Sequence, residues 1–302
     1  MVTGTDTVSE ERCPVSVSGL VTRATMGALP HTSFATAGRI GHGFGRLVGM
    51  LDARHRKVAD RNLAMAFPQA SPSERKALSR AAFAQAGRTI FEMLWSSQLT
   101  PDGIHEVGVV DGYSNMEAAL EQGRGALLAS GHFGNWELMG VVFGLVGMPL
   151  HVIARRLADP DLEKALFTLR TRTGNQVISK EGAVRGALRA LRQGDVVAIM
   201  IDQNTIPSQA TFAPFFGKLA ATSRILAQLH QRTGAPIVPS FAVPDGGKYR
   251  FVIEPAIELG EIPAEEALEK VTAAATARLE AHVREHPEAW LWIHDRWRTR
   301  PV

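Results

Sequence analysis

In the stretch GALLASGHFGNWELMG (residues 125–140), His132 and Glu137 have the types and spacing for base catalysis. A neutral imidazole accepts a proton near neutral pH. A carboxylate hydrogen-bonded to its other nitrogen fixes the tautomer and strengthens the base. Such a dyad could activate a hydroxyl. The spacing by itself is weak evidence, because a chain with ten histidines offers roughly one His-x4-acid match by chance. His55 and Asp60 make such a match. They fall in a helical segment, where five residues turn through about 500° and separate the side chains. His132 has a different context. An apolar run ends at Ser130, and Gly131 and Gly134 allow unusual backbone angles and close approach of a substrate. Asn135 suits a helix N-cap, which puts Glu137 in a first turn where the helix dipole stabilises a carboxylate. The bland alternative is a buried histidine tied to a nearby glutamate.

The elements that must position this pair are legible in outline. The 302 residues are 45% hydrophobic and 21% charged, an ordinary globular composition. A single cysteine, Cys13, excludes a disulfide framework and a cysteine-rich zinc module. The net charge of +3 comes without any basic block interleaved with aromatics, so a nucleic-acid partner is not expected. From Gly125 onward, short apolar runs (GALLAS, HVIA at 151–154, QVI at 176–178, DVVAIMI at 195–201) alternate with helical segments at 136–147, 160–173 and 182–193. A helix over 221–233, strands PIVPSFAVP and YRFVIEP, and a long helix from about Pro263 to His286 follow. This alternation predicts an α/β fold: a largely parallel central sheet flanked by helices, with an antiparallel hairpin near the end. Residues 1–25 read as a disordered tail without signal-peptide character. Residues 26–100 read as a helical N-terminal extension, and 101–302 as the α/β domain.

Within the extension, SPSE (71–74) is a helix start, with Ser71 as N-cap, Pro72 at the first position and Glu74 three residues on. The preceding segment, Phe34 to Leu51, carries Ile40, Phe44, Leu47, Val48 and Leu51 at helical spacing, with Arg39, His42 and Arg46 off that stripe. Two readings fit: an interfacial helix dipping into a membrane, or a surface helix packed on the core. Its glycines Gly38, Gly41, Gly43 and Gly45 weaken it as an autonomous helix and favour its formation on contact with a partner or a membrane.

SGHFGNWELMG closely resembles the H-x4-D/E motif of the glycerolipid acyltransferase superfamily, in the wording of the bacterial lipid A late (secondary) acyltransferases. NLAMAFPQASPSERKAL, ARRLADPDLEKALFTLRTRTGNQVI, IMIDQN, FAPFFGKLAATSRILAQLHQRTGAPIVPSF and WLWIHDRWRTRP resemble further blocks of that family, in family order, over roughly residues 30 to 302. The resemblance implies a glycerol-3-phosphate acyltransferase-like fold. It implies acyl transfer from a thioester co-substrate (acyl carrier protein or coenzyme A) to a hydroxyl of a lipid A precursor or related glycolipid, with no metal and no other cofactor. A phosphatidylinositol mannoside is the alternative acceptor. His132 would be the general base and Glu137 its assistant. Arg155 would meet an acceptor phosphate or the developing charge. Asp202 and Gln203 would anchor the site or contact donor or acceptor, or simply cap a loop. Asn135 and Trp136 complete the expected substrate-binding set. The family also implies a membrane surface as partner, at the cytoplasmic face of the bacterial inner membrane, with peripheral or weak anchoring here. Arg156 and Asp295 depart from the family pattern, where a proline and a basic residue are common.

Several features have bland readings. The pair Phe215–Phe216 suits an acyl chain or a core, and Trp290, Trp292 and Trp297 suit packing. Lys164, Arg170, Arg172, Arg185, Arg189 and Arg192 suit an acidic carrier protein or headgroups, each also a solvated helical face. HVREH (282–286) matches H-x-x-E-H of zinc peptidases, but Pro287 ends the helix there and no third ligand is evident. There is no G-x-S-x-G, no dinucleotide turn and no phosphate loop. A non-catalytic lipid-binding scaffold is the rival outside enzymology. It would not need a histidine and an acid at a strand edge.

Overall fold

A computed structural model describes residues 27–155 and 159–301; the N-terminal tail and Arg156 lie outside that range. Helices α1 (Phe34–Leu51), α2 (Ala53–Ala66) and α3 (Pro72–Trp95) precede the sheet. The start of α3 is the predicted capping box, with the Ser71 hydroxyl accepting the Glu74 N–H and the Glu74 carboxylate accepting the Ser71 N–H. The apolar runs form β2 (Ala126–Ser130), β3 (Leu150–Ala154), β4 (Gln176–Ser179), β5 (Val196–Met200), β8 (Ile237–Asp245) and β9 (Lys248–Ile253). A short β1 (Gly108–Asp111), in a stretch the sequence left unassigned, adds the seventh strand. The sheet order is β1-β9-β8-β2-β5-β3-β4. Strands β8, β2, β5, β3 and β4 run parallel, β8–β9 is an antiparallel hairpin, and β1 lies parallel to β9.

Helices α4 (Ile104–Val107), α5 (Tyr113–Leu120), α6 (Trp136–Leu145), α7 (Pro160–Thr171), α8 (Ala183–Arg192), α9 (Ile225–Thr233) and α10 (Ala267–Glu285) complete the chain. Because side chains alternate along a strand, β2 and β5 feed two cores. Leu127, Ala129, Val197 and Ile199 pack with α8, α9 and α10. Ala126, Leu128, Val196 and Ala198 pack with α5 and α6. Burial on both faces explains why these strands read as continuous apolar runs.

One expectation is corrected, and of the two readings of α1 the stripe packed on the core is overturned. The helix placed at 221–233 starts only at Ile225, because Lys218–Ser223 (β7) pairs antiparallel with Ala210–Phe215 (β6). The two residues between them, Phe216 and Gly217, both have positive φ (52° and 69°), the backbone that a tight two-residue hairpin requires. In α1, glycines rather than the apolar stripe face the protein. A Cβ on Gly45 would lie 2.1 Å from the Phe83 carbonyl oxygen, and one on Gly87 would lie 2.3 Å from that of Gly41. The missing side chains let α1 and α3 meet backbone to backbone. The stripe of Ile40, Phe44, Leu47 and Leu51 consequently points outward.

Candidate active site

His132 and Asp202 meet because two neighbouring parallel strands end in register. Ser130 of β2 pairs with Met200 of β5, and each chain places its polar residue two positions further on. The carboxylate of Asp202 accepts from His132 twice. Its Oδ1 lies 2.8 Å from the ring Nδ1, and its Oδ2 lies 2.7 Å from the backbone nitrogen. Trp290 Nε1 donates to the same Oδ2 at 2.9 Å. A carboxylate accepts only, so the ring carries its proton on Nδ1 and offers a lone pair at Nε2. Gln203 Nε2 stands 3.3 Å from that atom. Asp202 is 3% exposed and the His132 side chain 17%, so the buried side of the imidazole is held and the other side reaches the surface.

The electrostatics follow from this pairing. Burial alone would lower the pKa of His132, but the charge and hydrogen bond of Asp202 outweigh it and the net shift is upward from 6.5. Burial alone would raise Asp202, yet His132 and the donors from His132 and Trp290 hold it well below the usual carboxylate range.

Glu137 does not touch the imidazole, contrary to expectation. It sits in the first turn of α6 as expected, but Arg170 of α7 clamps it, with Nε to Oε2 at 2.9 Å and Nη2 to Oε1 at 2.5 Å. The first turn aims the carboxylate at the neighbouring helix, leaving Nδ1 to the residue that arrives in register on β5. The charge of Glu137 still raises the pKa of His132 from a distance, and Arg170 opposes it. The sequence reads Arg170 as a cation for a carrier protein or headgroup, or on a solvated face. It is instead the partner of the motif glutamate.

The turn between β2 and α6 explains its glycines differently from the sequence reading. A Cβ on Gly131 would strike the Leu279 methyls at 2.8 Å, and one on Gly134 (φ +59°) would lie 1.7 Å from the Ala242 carbonyl oxygen. Protein, not substrate, approaches them. Asn135 is the N-cap, accepting the Leu138 N–H at 3.0 Å, and is fully buried. Its Nδ2 donates to Glu92 Oε2 at 3.0 Å, so its role is to brace the turn rather than to bind substrate. The buried Glu92 also accepts from Tyr249 (2.7 Å) and Arg88 (2.5 Å), which ties α3 to the turn. Trp136 packs edge-on against His132, with ring centroids 4.9 Å apart.

Arg155 is exposed at the end of β3, at the same sheet edge, and has no hydrogen-bond partner among the described residues. Phe215 and Phe216 are buried, packed edge-on or tilted against Trp290, Trp292 and Phe67. Trp292 and Trp297 pack as expected, whereas Trp290 adds its hydrogen bond to Asp202. In HVREH, His282 bonds Glu254 at 2.9 Å and His286 ends α10. Cavities of about 430 Å³ beside Phe67 and Lys218, and 180 Å³ beside Tyr113 and Asp195, are both lined by residues outside this site.

Residues 14–299 match the family described as bacterial lipid A biosynthesis acyltransferase. The chain is 31% identical to a lipid A biosynthesis palmitoleoyltransferase of Escherichia coli K12 over 255 residues, 82% of this chain and 80% of that one. It is 30% identical to the lauroyltransferase of the same organism over 269 residues, 87% and 85% of the two chains. A phosphatidylinositol mannoside acyltransferase of Mycobacterium tuberculosis is 26% identical over 195 residues, covering 63% and 60%.

Proposed function

The chain belongs to the bacterial lipid A biosynthesis acyltransferase family and is an acyltransferase acting on glycolipids, and from that premise we propose that His132, oriented by Asp202, is the general base for acyl transfer from a thioester to a hydroxyl of a lipid A precursor. The observation that carries this reading is the divided imidazole: Nδ1 is locked on a buried carboxylate, and Nε2 faces the accessible side.

The chemistry balances on these groups. Nε2 takes the proton of the acceptor hydroxyl as its oxygen attacks the thioester carbonyl carbon. The new C–O bond forms, the C–S bond breaks, and the imidazolium returns its proton to the leaving thiolate. Asp202 stabilises the imidazolium between these steps. Glu137 contributes a second negative charge, tempered by Arg170. Gln203, whose amide rests against Nε2 in the free enzyme, must give way to the hydroxyl. Arg155 supplies a guanidinium, without a hydrogen-bond partner among the described residues, that suits an acceptor phosphate.

The exposed stripe of α1, flanked by Arg39, Arg46 and Arg54, suits a peripheral seat on an anionic membrane surface. No helix among the described residues is long and apolar enough to cross a membrane. The acyl donor class is a carrier-bound or coenzyme A thioester.

The test is mass spectrometry of lipids after incubating the purified protein with mixed acyl thioesters and a lipid A precursor, beside folded His132→Ala. Gain of one acyl unit with the native chain alone supports the reading. Equal lipid binding by both proteins without acyl gain would replace it with a non-catalytic scaffold. Acylation of a phosphatidylinositol mannoside in preference would change the acceptor.

A further inference from the structure

The turn after β5 belongs to no sheet ladder, yet Asp202 and Gln203 each reach one ring nitrogen of His132. What sets that turn is the C-terminal segment. His294 Nε2 lies 2.8 Å from the Asn204 backbone nitrogen. Asn204 also exchanges hydrogen bonds with Thr299: its Oδ1 accepts the Thr299 N–H at 3.0 Å and its Nδ2 donates to Oγ1 at 3.1 Å. The segment is itself anchored on α2, because Asn62 Nδ2 donates to the carbonyls of Trp292 (2.8 Å) and His294 (2.7 Å).

We propose that His294 is a positioning residue for the acyl-transfer site: by accepting the Asn204 N–H at Nε2, it sets the Asp202–Gln203–Asn204 turn that holds both nitrogens of His132. The proposal deepens the reading of His132 as the base. A backbone N–H needs an acceptor, so the imidazole must be the neutral tautomer protonated at Nδ1. Protonated, it would present a donor to a donor and release the turn. The charged groups acting on His294 are Asp202, His132, Arg296 and Asp295, and Asp295 is paired with Arg61 at 2.6 Å. Burial dominates, and the net shift is downward from 6.5 while that of His132 is upward. His294 therefore loses its proton at lower pH than His132 does.

The experiment is NMR titration of the His132 ring in the full chain and in His294→Leu and His294→Gln. Loss of the acceptor should loosen Asp202 from Nδ1 and lower the His132 pKa by about one unit in His294→Leu. His294→Gln, which keeps an acceptor, should hold it near the native value. An unchanged or raised pKa in folded His294→Leu would overturn the proposal. Should the leucine variant not fold, scalar coupling between the Asn204 amide and His294 Nε2 in the native chain decides. A His294 protonated on Nε2 at neutral pH overturns it. Because the readout is the titration of His132, it stands whether or not acyl transfer is detected.

Discussion

At the scale of single residues, the site is a question of which carboxylate serves the imidazole. Both Glu137 and Asp202 carry charge near His132, but only Asp202 makes the hydrogen bond. Asp202→Asn should therefore reduce kcat by about 10³–10⁴-fold through the wrong tautomer. Glu137→Gln should cost on the order of ten-fold, since only a more distant charge is lost. Steady-state kinetics on folded variants decides, and equal losses would restore Glu137 as the partner. The pH profile gives a second check. The base must be neutral, and its pKa is raised, so the acid limb of kcat/KM should lie above 6.5. In Asp202→Asn it should move down. The pair also has a stability signature. The raised imidazole contributes below 6.5 and its contribution is lost as pH rises through its folded value. The lowered carboxylate contributes above 3.8 and its contribution is lost as pH falls through its folded value. The stability gap between native and Asp202→Asn protein should therefore be largest between 3.8 and 6.5, measured by denaturant unfolding across pH.

At the scale of elements, α1 and α3 depend on what their glycines lack. A methyl on Gly87 would meet the Gly41 carbonyl oxygen at 2.3 Å, and neither backbone can retreat without separating the helices. Gly87→Ala should destabilise by about 1–3 kcal/mol, the usual cost of overpacking. Gly43 has open space around the same position, so Gly43→Ala should stabilise by about 0.5–1 kcal/mol through helix propensity alone. Thermal unfolding of the two variants should move in opposite directions. The seam matters to the site because α3 carries Glu92, which braces Asn135 and hence the turn behind His132.

For the whole molecule, the five parallel strands send their C-terminal ends to one edge, where a ligand of an α/β sheet binds. His132, Asp202 and Arg155 all follow strand ends there. The outward face of α1 presents Phe44 at 47% exposure and Leu47 at 49%. Phe44 meets the Phe91 ring of α3, so the pair that spares folding is Leu47 with Leu51 (75% exposed), and Leu47→Asp with Leu51→Asp should leave the unfolding temperature nearly unchanged. Flotation with anionic vesicles should show binding weakened at least about ten-fold, given about 1.5–3 kcal/mol for each apolar side chain buried. Unaltered flotation would detach this face from any membrane role.

The sequence by itself determined the elements whose cause is local. The Ser71 capping box, the apolar runs of β2 and β5 and the N-cap at Asn135 depend on residues within a few positions of one another, and His132 is placed by the end of its own strand. Contacts between distant residues were decided only by the fold. Asp202 lies seventy positions from His132, and their meeting follows from the register of β2 on β5, which the spacing of five to Glu137 does not contain. Arg170 reads as a surface cation until α7 lies beside α6. The orientation of α1 was decided for the same reason: helical periodicity identifies a stripe but leaves open whether it packs on the core or points outward, and the glycines on the other face are what meet the α3 backbone.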